Sequence, residues 1–217
     1  MAASQNPAIV FFKDSKPTVI RIWHWLTFLF FTASVITVLL SSTLFKTKNN
    51  IAMVQEQVQQ KGGTITIEQA RNVAHEYSDK LWMLHKYIGY GLSFLLLWRV
   101  IAEVVMARDK KLGSRIRSAL SYPEGPNDKK HYLMVQYGYL IFYGLFIVMS
   151  LTGLILAFED VKWLDPLHKT AKNIHEITQY GMYGYILIHL TGVIIADLGQ
   201  YGGIVSRMIN GKTGGSS

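Results

Sequence analysis

Four long apolar segments, separated by polar stretches, dominate the hydropathy pattern of the chain. They cover residues 25–44, 81–106, 132–158 and 174–198. Each is long enough to cross about 30 Å of hydrocarbon at about 1.5 Å per helical residue, and the chain lacks the repeated alternating segments of a transmembrane β-barrel. The pattern therefore predicts an all-α integral membrane protein, a bundle of four transmembrane helices.

The polar stretches support two local predictions. Residues 45–80 form a long loop, and Thr66 with Gln69 makes a Thr-x-x-Gln capping box ahead of apolar residues at helical spacing. We therefore predict a helix in the second half of this loop. Residues 122–128 contain two prolines and a glycine, a strong turn signal that separates two helical hairpins.

Basic residues are distributed unevenly between the loops. Residues 107–131 hold the densest group, and most of it lies close to a span end. By the positive-inside rule this loop and both termini face the cytoplasm. The net charge of +8 then reflects a basic face against anionic lipid headgroups, and no nucleic-acid partner is expected. The predicted division is a cytoplasmic arm, one membrane domain and a flexible tail: residues 1–20, 21–212 and 213–217.

Cysteine is absent from the 217-residue chain. This rules out disulfides, iron–sulfur clusters held by cysteine and covalently attached c-type haem. Any redox centre must be held by histidine, methionine or carboxylate. Of the seven histidines, His75 and His168 fall in predicted outer loops, and we interpret them as solvated.

Two histidines of the fourth span share one helix face. His175 and His189 are fourteen residues apart, which at 100° per residue falls about 40° short of four full turns. Their separation along the helix axis is about 21 Å, so one lies near each side of the hydrocarbon.

The alternating direction of the spans supplies a partner for each of these two histidines. His85 begins the second span and lies level with His175, whereas His24 begins the first span and lies level with His189. Two level pairs are the arrangement that bis-histidine ligation of two haems needs, and ionisable residues at membrane depth are usually functional. His131, at the start of the third span, remains an alternative to His24 or His189.

Other candidate cofactor-binding residues accompany these histidines. Arg21 is placed either to neutralise a haem propionate or to anchor the first helix at a basic interface. Arg99 forms an i,i+4 pair with Glu103, and the two either pair only with each other or serve a propionate or a quinone. Gly89 and Gly181 would let a flat macrocycle approach the backbone, although glycine equally serves close packing of membrane helices.

Short motifs stand in a fixed order along the chain. They are Arg21-Ile22-Trp23-His24-Trp25, His85-Lys86-Tyr87-Ile88-Gly89-Tyr90, Leu151-Thr152-Gly153-Leu154, Ile186-Leu187-Ile188-His189 and the stretch from Gly203 to Gly211. With the fourteen-residue histidine spacing, they resemble the family that joins bacterial cytochrome b561 with the b-type cytochrome subunits of nickel–iron hydrogenases and formate dehydrogenases. The resemblance implies two haem b groups with His24, His85, His175 and His189 as axial ligands of the iron, and a quinone site near one haem.

The resemblance also implies a function and a location. It indicates a multi-pass cytochrome of the bacterial inner membrane that carries electrons between a quinone pool and a redox partner. The long loop 45–80 favours a subunit of a hydrogenase-, dehydrogenase- or reductase-type complex, whose partner meets the periplasmic face. The alternative is a stand-alone enzyme that oxidises a small molecule such as superoxide and reduces quinone. Zinc binding by the same histidines is disfavoured, because zinc needs its ligands clustered around one ion.

Overall fold

The computed structural model describes residues 16–105, 112–120, 126–199 and 202–211. Every regular element in these ranges is helical, which confirms the all-α prediction. A 3-10 turn at Lys162–Leu164 precedes α6. The α-helices are α1 (Thr18–Ser42), α2 (Thr47–Gln60), α3 (Ile67–Val105), α4 (Leu112–Leu120), α5 (Pro126–Ala157), α6 (Asp165–Leu198) and α7 (Ile204–Asn210).

Among the described residues, four helical segments are long and apolar enough to cross a membrane. They are Thr18–Ser42, Ile67–Val105, Leu133–Ala157 and Lys162–Leu198. Large apolar side chains on all four are exposed, among them Leu29, Phe94, Ile141 and Leu187. Such a surface is stable in hydrocarbon, where a helix satisfies its own backbone hydrogen bonds. The protein is therefore integral to a membrane, and the side that each terminus faces stays a prediction.

The helix predicted in loop 45–80 is the first part of α3. Its capping box is confirmed: the amide of Thr66 donates to Oε1 of Gln69 at 3.0 Å, and the amide of Gln69 donates to Oγ1 of Thr66 at 3.2 Å. The helix continues into the second span because residues 78–80 include neither glycine nor proline. An i,i+4 ion pair between Glu76 and Lys80, 3.1 Å apart, crosses this junction.

Two further differences from the predicted elements are the additional helix α2 and the early start of α6. α2 occupies the first half of loop 45–80, where the sequence analysis predicted no element, and none of its residues is buried. α6 begins at Asp165, well before residue 174, with Pro166 in its first turn, where proline is favoured because its missing N–H needs no partner. Most of the predicted turn at 122–128 lies outside the described residues.

The chain divides into two compact units. The first comprises Met1–Trp25 with Leu95–Ser217, and the second comprises Leu26–Phe94. In the first unit, α5 and α6 pack along each other. In the second unit, α1 and α3 approach closely at Gly91, where a Cβ atom would overlap the ring of Phe30. Each of the two units therefore holds a helix pair that carries histidines.

Candidate functional site

His24 on α1 and His189 on α6 face each other within the first unit. Their ring centroids are 6.3 Å apart, and the ring planes are inclined by 56°. A metal-bound imidazole nitrogen lies about 2.0 Å from the metal with the ring centre roughly 1 Å beyond, so two rings on opposite sides of one metal have centroids about 6 Å apart. The structure thus brings this predicted pair together at a separation that suits one iron between two imidazoles.

The surroundings of these two rings also suit an additional group. Nδ1 of His24 is buried, and in the described part of the chain it has no hydrogen-bond partner. The ring of Tyr185 stacks on His189, with centroids 6.1 Å apart and planes inclined by 8°, and Trp25 contacts His24 edge-on. A buried polar atom without a partner costs about 1–3 kcal/mol, so a polar group bound beside Nδ1 of His24 would be favourable.

His175 on α6 is held by two neighbouring residues of α5. The hydroxyl of Thr152 donates to the carbonyl of Val148 at 2.7 Å, and the same oxygen lies 2.9 Å from Nδ1 of His175. Beside it, a Cβ atom on Gly153 would lie 3.2 Å from Cε1 of His175. The hydroxyl therefore fixes one edge of the imidazole, and the glycine leaves space for the ring.

His85 on α3 has a matching arrangement within the second unit. The hydroxyl of Thr37 on α1 donates to the carbonyl of Ser34 at 2.7 Å, and its oxygen lies 3.0 Å from Nδ1 of His85. The ring of Trp82 meets the His85 ring edge-on, with centroids 5.6 Å apart. His85 and His175 belong to different units, so their pairing on one iron stays a prediction from the sequence.

Arg99 is the centre of a buried polar cluster in the first unit. It is 9% exposed, and its Nη1 lies 2.9 Å from Oε2 of Glu103, as the i,i+4 spacing predicts. Its guanidinium also lies over the rings of Trp23 and Tyr143, 5.9 and 5.5 Å from their centroids. These contacts compensate the buried charge within the protein. A role for Arg99 toward a propionate or a quinone stays a prediction.

Arg21 attaches the start of α1 to the C-terminal helix. Its Nη1 donates to the carbonyl of Ile209 at 2.8 Å, near the end of α7, where a cation is favourable. Trp25 adds a second link, because its Nε1 donates to the carbonyl of Met208 at 3.1 Å. The structure therefore shows Arg21 bonded near the end of α7. Both of its predicted roles, at a basic interface and toward a haem propionate, stay predictions.

The two candidate glycines differ in their surroundings. A Cβ atom on Gly181 would lie 3.2 Å from Cδ2 of Leu145 on α5, so this glycine serves close packing of α5 and α6. A Cβ atom on Gly89 would meet no described atom within 4 Å. Gly89 therefore has the open space that a flat group would need, and its contact with a haem stays a prediction.

The remaining histidines lie away from these arrangements. His75 is exposed and pairs with Asp79 at 2.8 Å, in α3 and not in a loop. His168 lies in the first turn of α6, where its Nε2 bonds to the carbonyl of Ile155 at 3.0 Å. His168 therefore has a structural role that its interpretation as a solvated residue missed. The side chain of His131 lies outside the described residues.

A zinc site would need about four ligands around one ion. Within the described ranges, no group of three or more histidine, aspartate or glutamate side chains is placed to hold a metal ion.

The hydroxyl groups beside His85 and His175 are the site residues that sequence reasoning missed. Thr152 was noted only as part of a motif, and Thr37 was not noted. Each is a threonine within an apolar span, on a helix that packs against the helix carrying the histidine. Threonines within an apolar span that neighbours a candidate histidine ligand are the sequence signal that could have identified them.

One known protein family matches almost the whole length of the chain. The model of the family described as prokaryotic cytochrome b561 matches residues 16–211, which include the four candidate spans and the four candidate histidines. Comparisons with curated proteins and with solved structures give no match. Because the family model covers nearly the full length, the resemblance seen in the motifs is confirmed. The chain belongs to the prokaryotic cytochrome b561 family, whose membrane-integral members carry b-type haem and transfer electrons.

Proposed function

We propose that the chain is a di-haem b-type cytochrome subunit of the bacterial inner membrane. It carries electrons between a quinone pool and a redox partner on the periplasmic side. The observation that carries most weight is the 6.3 Å separation of the His24 and His189 rings, on two helices far apart in sequence. Membership of the family supports b-type haem and membrane electron transfer in general.

One haem is held by His24 and His189. When bound, haem supplies a one-electron iron couple. Held by both imidazoles, the group would supply electron transfer rather than binding of oxygen or other small ligands. Tyr185 and Trp25 restrict the rotation of the two rings through their aromatic contacts.

The second haem is held by His85 and His175. Support comes from the fourteen-residue spacing of His175 and His189 on α6, which separates two levels by about 21 Å along one helix. Further support comes from the hydroxyl groups of Thr37 and Thr152, which engage Nδ1 of the two histidines in the same manner. Two levels at this separation would relay electrons across most of the hydrocarbon.

Quinone reacts near His24 and His189 in this proposal. The cluster of Trp23, Arg99, Glu103 and Tyr143 supports this placement, because it supplies charged and aromatic groups in the same unit. One of its members, Trp23, directly precedes His24 in the sequence. Groups of this kind suit a molecule that gains or loses protons together with electrons.

The redox partner docks on the segment formed by α2 and the start of α3. α3 has 39 residues, or about 58 Å at 1.5 Å per residue, whereas the hydrocarbon is only about 30 Å thick. The helix therefore extends well beyond the bilayer, as a subunit of a complex needs in order to reach a partner.

Haem stoichiometry tests the proposal. The purified chain should contain two protohaems by pyridine haemochrome assay, and His24→Ala or His189→Ala should each leave about one. His85→Ala and His175→Ala should each remove the other. His75→Ala is the matched control, because His75 is exposed and pairs only with a surface carboxylate in the described contacts. Two haems retained in every variant would contradict the ligand assignment.

A second experiment distinguishes the proposed subunit from a stand-alone enzyme. Membranes of the native host, gently solubilised, should yield the chain together with a stoichiometric redox protein. If instead the isolated chain oxidises superoxide and reduces quinone at a high rate without any partner, the stand-alone alternative is correct.

A further inference from the structure

Two histidines in different units share one contact, a threonine hydroxyl beside Nδ1 of the ring. Nδ1 of His85 has a second, longer contact, at 3.5 Å to Oγ of Ser34. In the second unit, Oγ1 of Thr37 lies 3.0 Å from Nδ1 of His85. In the first unit, Oγ1 of Thr152 lies 2.9 Å from Nδ1 of His175. In both, the threonine belongs to one span and the histidine to a neighbouring one.

The position of the hydroxyl hydrogen follows from a third contact. Each threonine oxygen also lies 2.7 Å from a backbone carbonyl oxygen, that of Ser34 for Thr37 and that of Val148 for Thr152. A carbonyl can only accept, so the single hydroxyl hydrogen must point to it. The hydroxyl oxygen can then only accept from the imidazole. Nδ1 of both histidines therefore carries the hydrogen, and Nε2 of both carries the lone pair.

We infer that Thr37 and Thr152 are positioning residues for one haem iron. Each fixes the tautomer and the ring orientation of its histidine, so that Nε2 is presented as the metal ligand. The inference rests on the proposed function, which assigns His85 and His175 to one haem. A partner that accepts the second N–H of a ligating histidine makes the ring a stronger donor, and its loss typically weakens metal binding 10- to 100-fold.

In the other proposed pair, His24 and His189, at least His24 has no hydroxyl bonded to Nδ1 in the described structure. Within the ranges that the structure describes, Nδ1 of His24 is buried and has no hydrogen-bond partner. The threonines therefore act on one haem and leave the other unaffected. A stronger donor stabilises ferric iron, so removing either hydroxyl makes the reduction potential of that haem more positive.

Valine substitutions at the two threonines test the inference, because valine retains the branched shape and removes the hydroxyl. In the holoprotein, Thr37→Val and Thr152→Val should each shift the midpoint of the same haem in a potentiometric titration. We expect a ten-fold change in its ratio of reduced to oxidised iron, equivalent to about 59 mV for one electron. The other midpoint should not move. Thr37→Ser and Thr152→Ser, which retain the hydroxyl, should retain the midpoint of the unmodified protein.

Thr43, just after α1, provides a matched control. Its hydroxyl donates to the carbonyl of Leu39, as that of Thr37 donates to the carbonyl of Ser34, and among the described contacts it bonds to no histidine. Thr43→Val should therefore leave both midpoints and the haem content unchanged. If a valine variant does not accumulate, alanine at the same positions, compared with Thr43→Ala, gives the same reading.

The outcomes separate this inference from the function on which it rests. If His85→Ala and His175→Ala each remove one haem but neither threonine variant shifts a midpoint, the positioning role is wrong and the function stands. If the two threonine variants shift different haems, the shared iron is wrong. If the two histidine variants retain both haems, the ligand assignment itself has failed.

Discussion

Gly153 on α5 lies directly against the imidazole of His175 on α6. A Cβ atom at residue 153 would be 3.2 Å from Cε1 of the ring, closer than an ordinary van der Waals contact. The preceding residue, Thr152, holds Nδ1 of the same ring. Two consecutive residues of α5 therefore define where this imidazole lies, one by a hydrogen bond and one by the absence of a side chain.

A methyl group at residue 153 should displace His175. Gly153→Ala forces the ring to move by a few tenths of an ångström, and overpacking of this kind costs about 1–3 kcal/mol. We expect the purified variant to retain clearly less than two haems per chain, with the loss confined to one of them. Gly144→Ala on the same helix is the control, because a Cβ atom there would meet no described atom within 4 Å. Equal haem content in both variants would show that Gly153 does not position the ring.

Two ion pairs on α3 have the same i,i+4 spacing but differ in burial, and they should therefore contribute differently to stability. The carboxylate of Glu103 lies 2.9 Å from Arg99, whose side chain is 10% exposed, whereas the side chains of Glu76 and Lys80 are both 65% exposed. Glu103→Gln leaves a buried guanidinium without its counter-ion, and we expect a loss of about 1–3 kcal/mol in unfolding free energy. Glu76→Gln should cost at most about 0.5 kcal/mol, as exposed i,i+4 pairs do.

Thermal unfolding in detergent measures both variants under identical conditions. The midpoint should fall by several degrees for Glu103→Gln and by little for Glu76→Gln. Added salt should reduce only the small effect, because exposed charges are screened and buried ones are not. Similar midpoints for the two variants would mean that Tyr143 and Trp23 alone compensate the charge of Arg99.

The architecture could be predicted because each membrane-spanning helix corresponds to a long apolar segment of the sequence. Four apolar segments predicted four helices, and the 100° turn per residue predicted that His175 and His189 share a face. The helix ends could not be predicted in the same way, since hydropathy marks where the hydrocarbon begins and not where the helix does. α3 begins before the apolar segment because residues 78–80 contain neither glycine nor proline, which would break the helix. α6 also begins before its apolar segment, and Pro166 lies in its first turn.

The site could be predicted only in part because its support is tertiary. Trp23 is close to the start of the first span in the sequence, and it is only 7% exposed and donates through Nε1 to the carbonyl of Leu95 at 2.8 Å. That contact joins residues 72 positions apart, which no local pattern encodes. Thr37 was missed for the same reason: its partner His85 lies on another helix.

The hydrogen bond of Trp23 should contribute to stability. Trp23→Phe removes the donor to the Leu95 carbonyl and some packing against Arg99, and we expect a loss of about 1–3 kcal/mol in unfolding free energy. Trp163→Phe is the control, since Trp163 is 75% exposed. Thermal unfolding in detergent should place the control within a degree or two of the unmodified chain. A larger effect at Trp163 would contradict the ranking by burial.

The attachment of α7 to α1 should affect His24. Gly211 follows α7 with φ of +70°, and a Cβ atom there would lie 2.5 Å from Cζ of Arg21. Gly211→Ala therefore adds two effects: the strain of a left-handed residue, about 1 kcal/mol, and displacement of the guanidinium that bonds to Ile209. Arg21 lies one turn before His24 on α1, so a shift of this turn should loosen one of the two proposed haems.

Gly62 separates the two effects of the Gly211 substitution. It has φ of +77°, and a Cβ atom there would meet no described atom within 4 Å, so Gly62→Ala introduces the left-handed strain without a clash. Both variants should lose a similar small amount of stability from strain, whereas only Gly211→Ala should lose haem, and the haem it loses should be the one absent from His24→Ala. If Gly62→Ala loses as much haem, general destabilisation is the cause and α7 does not position His24.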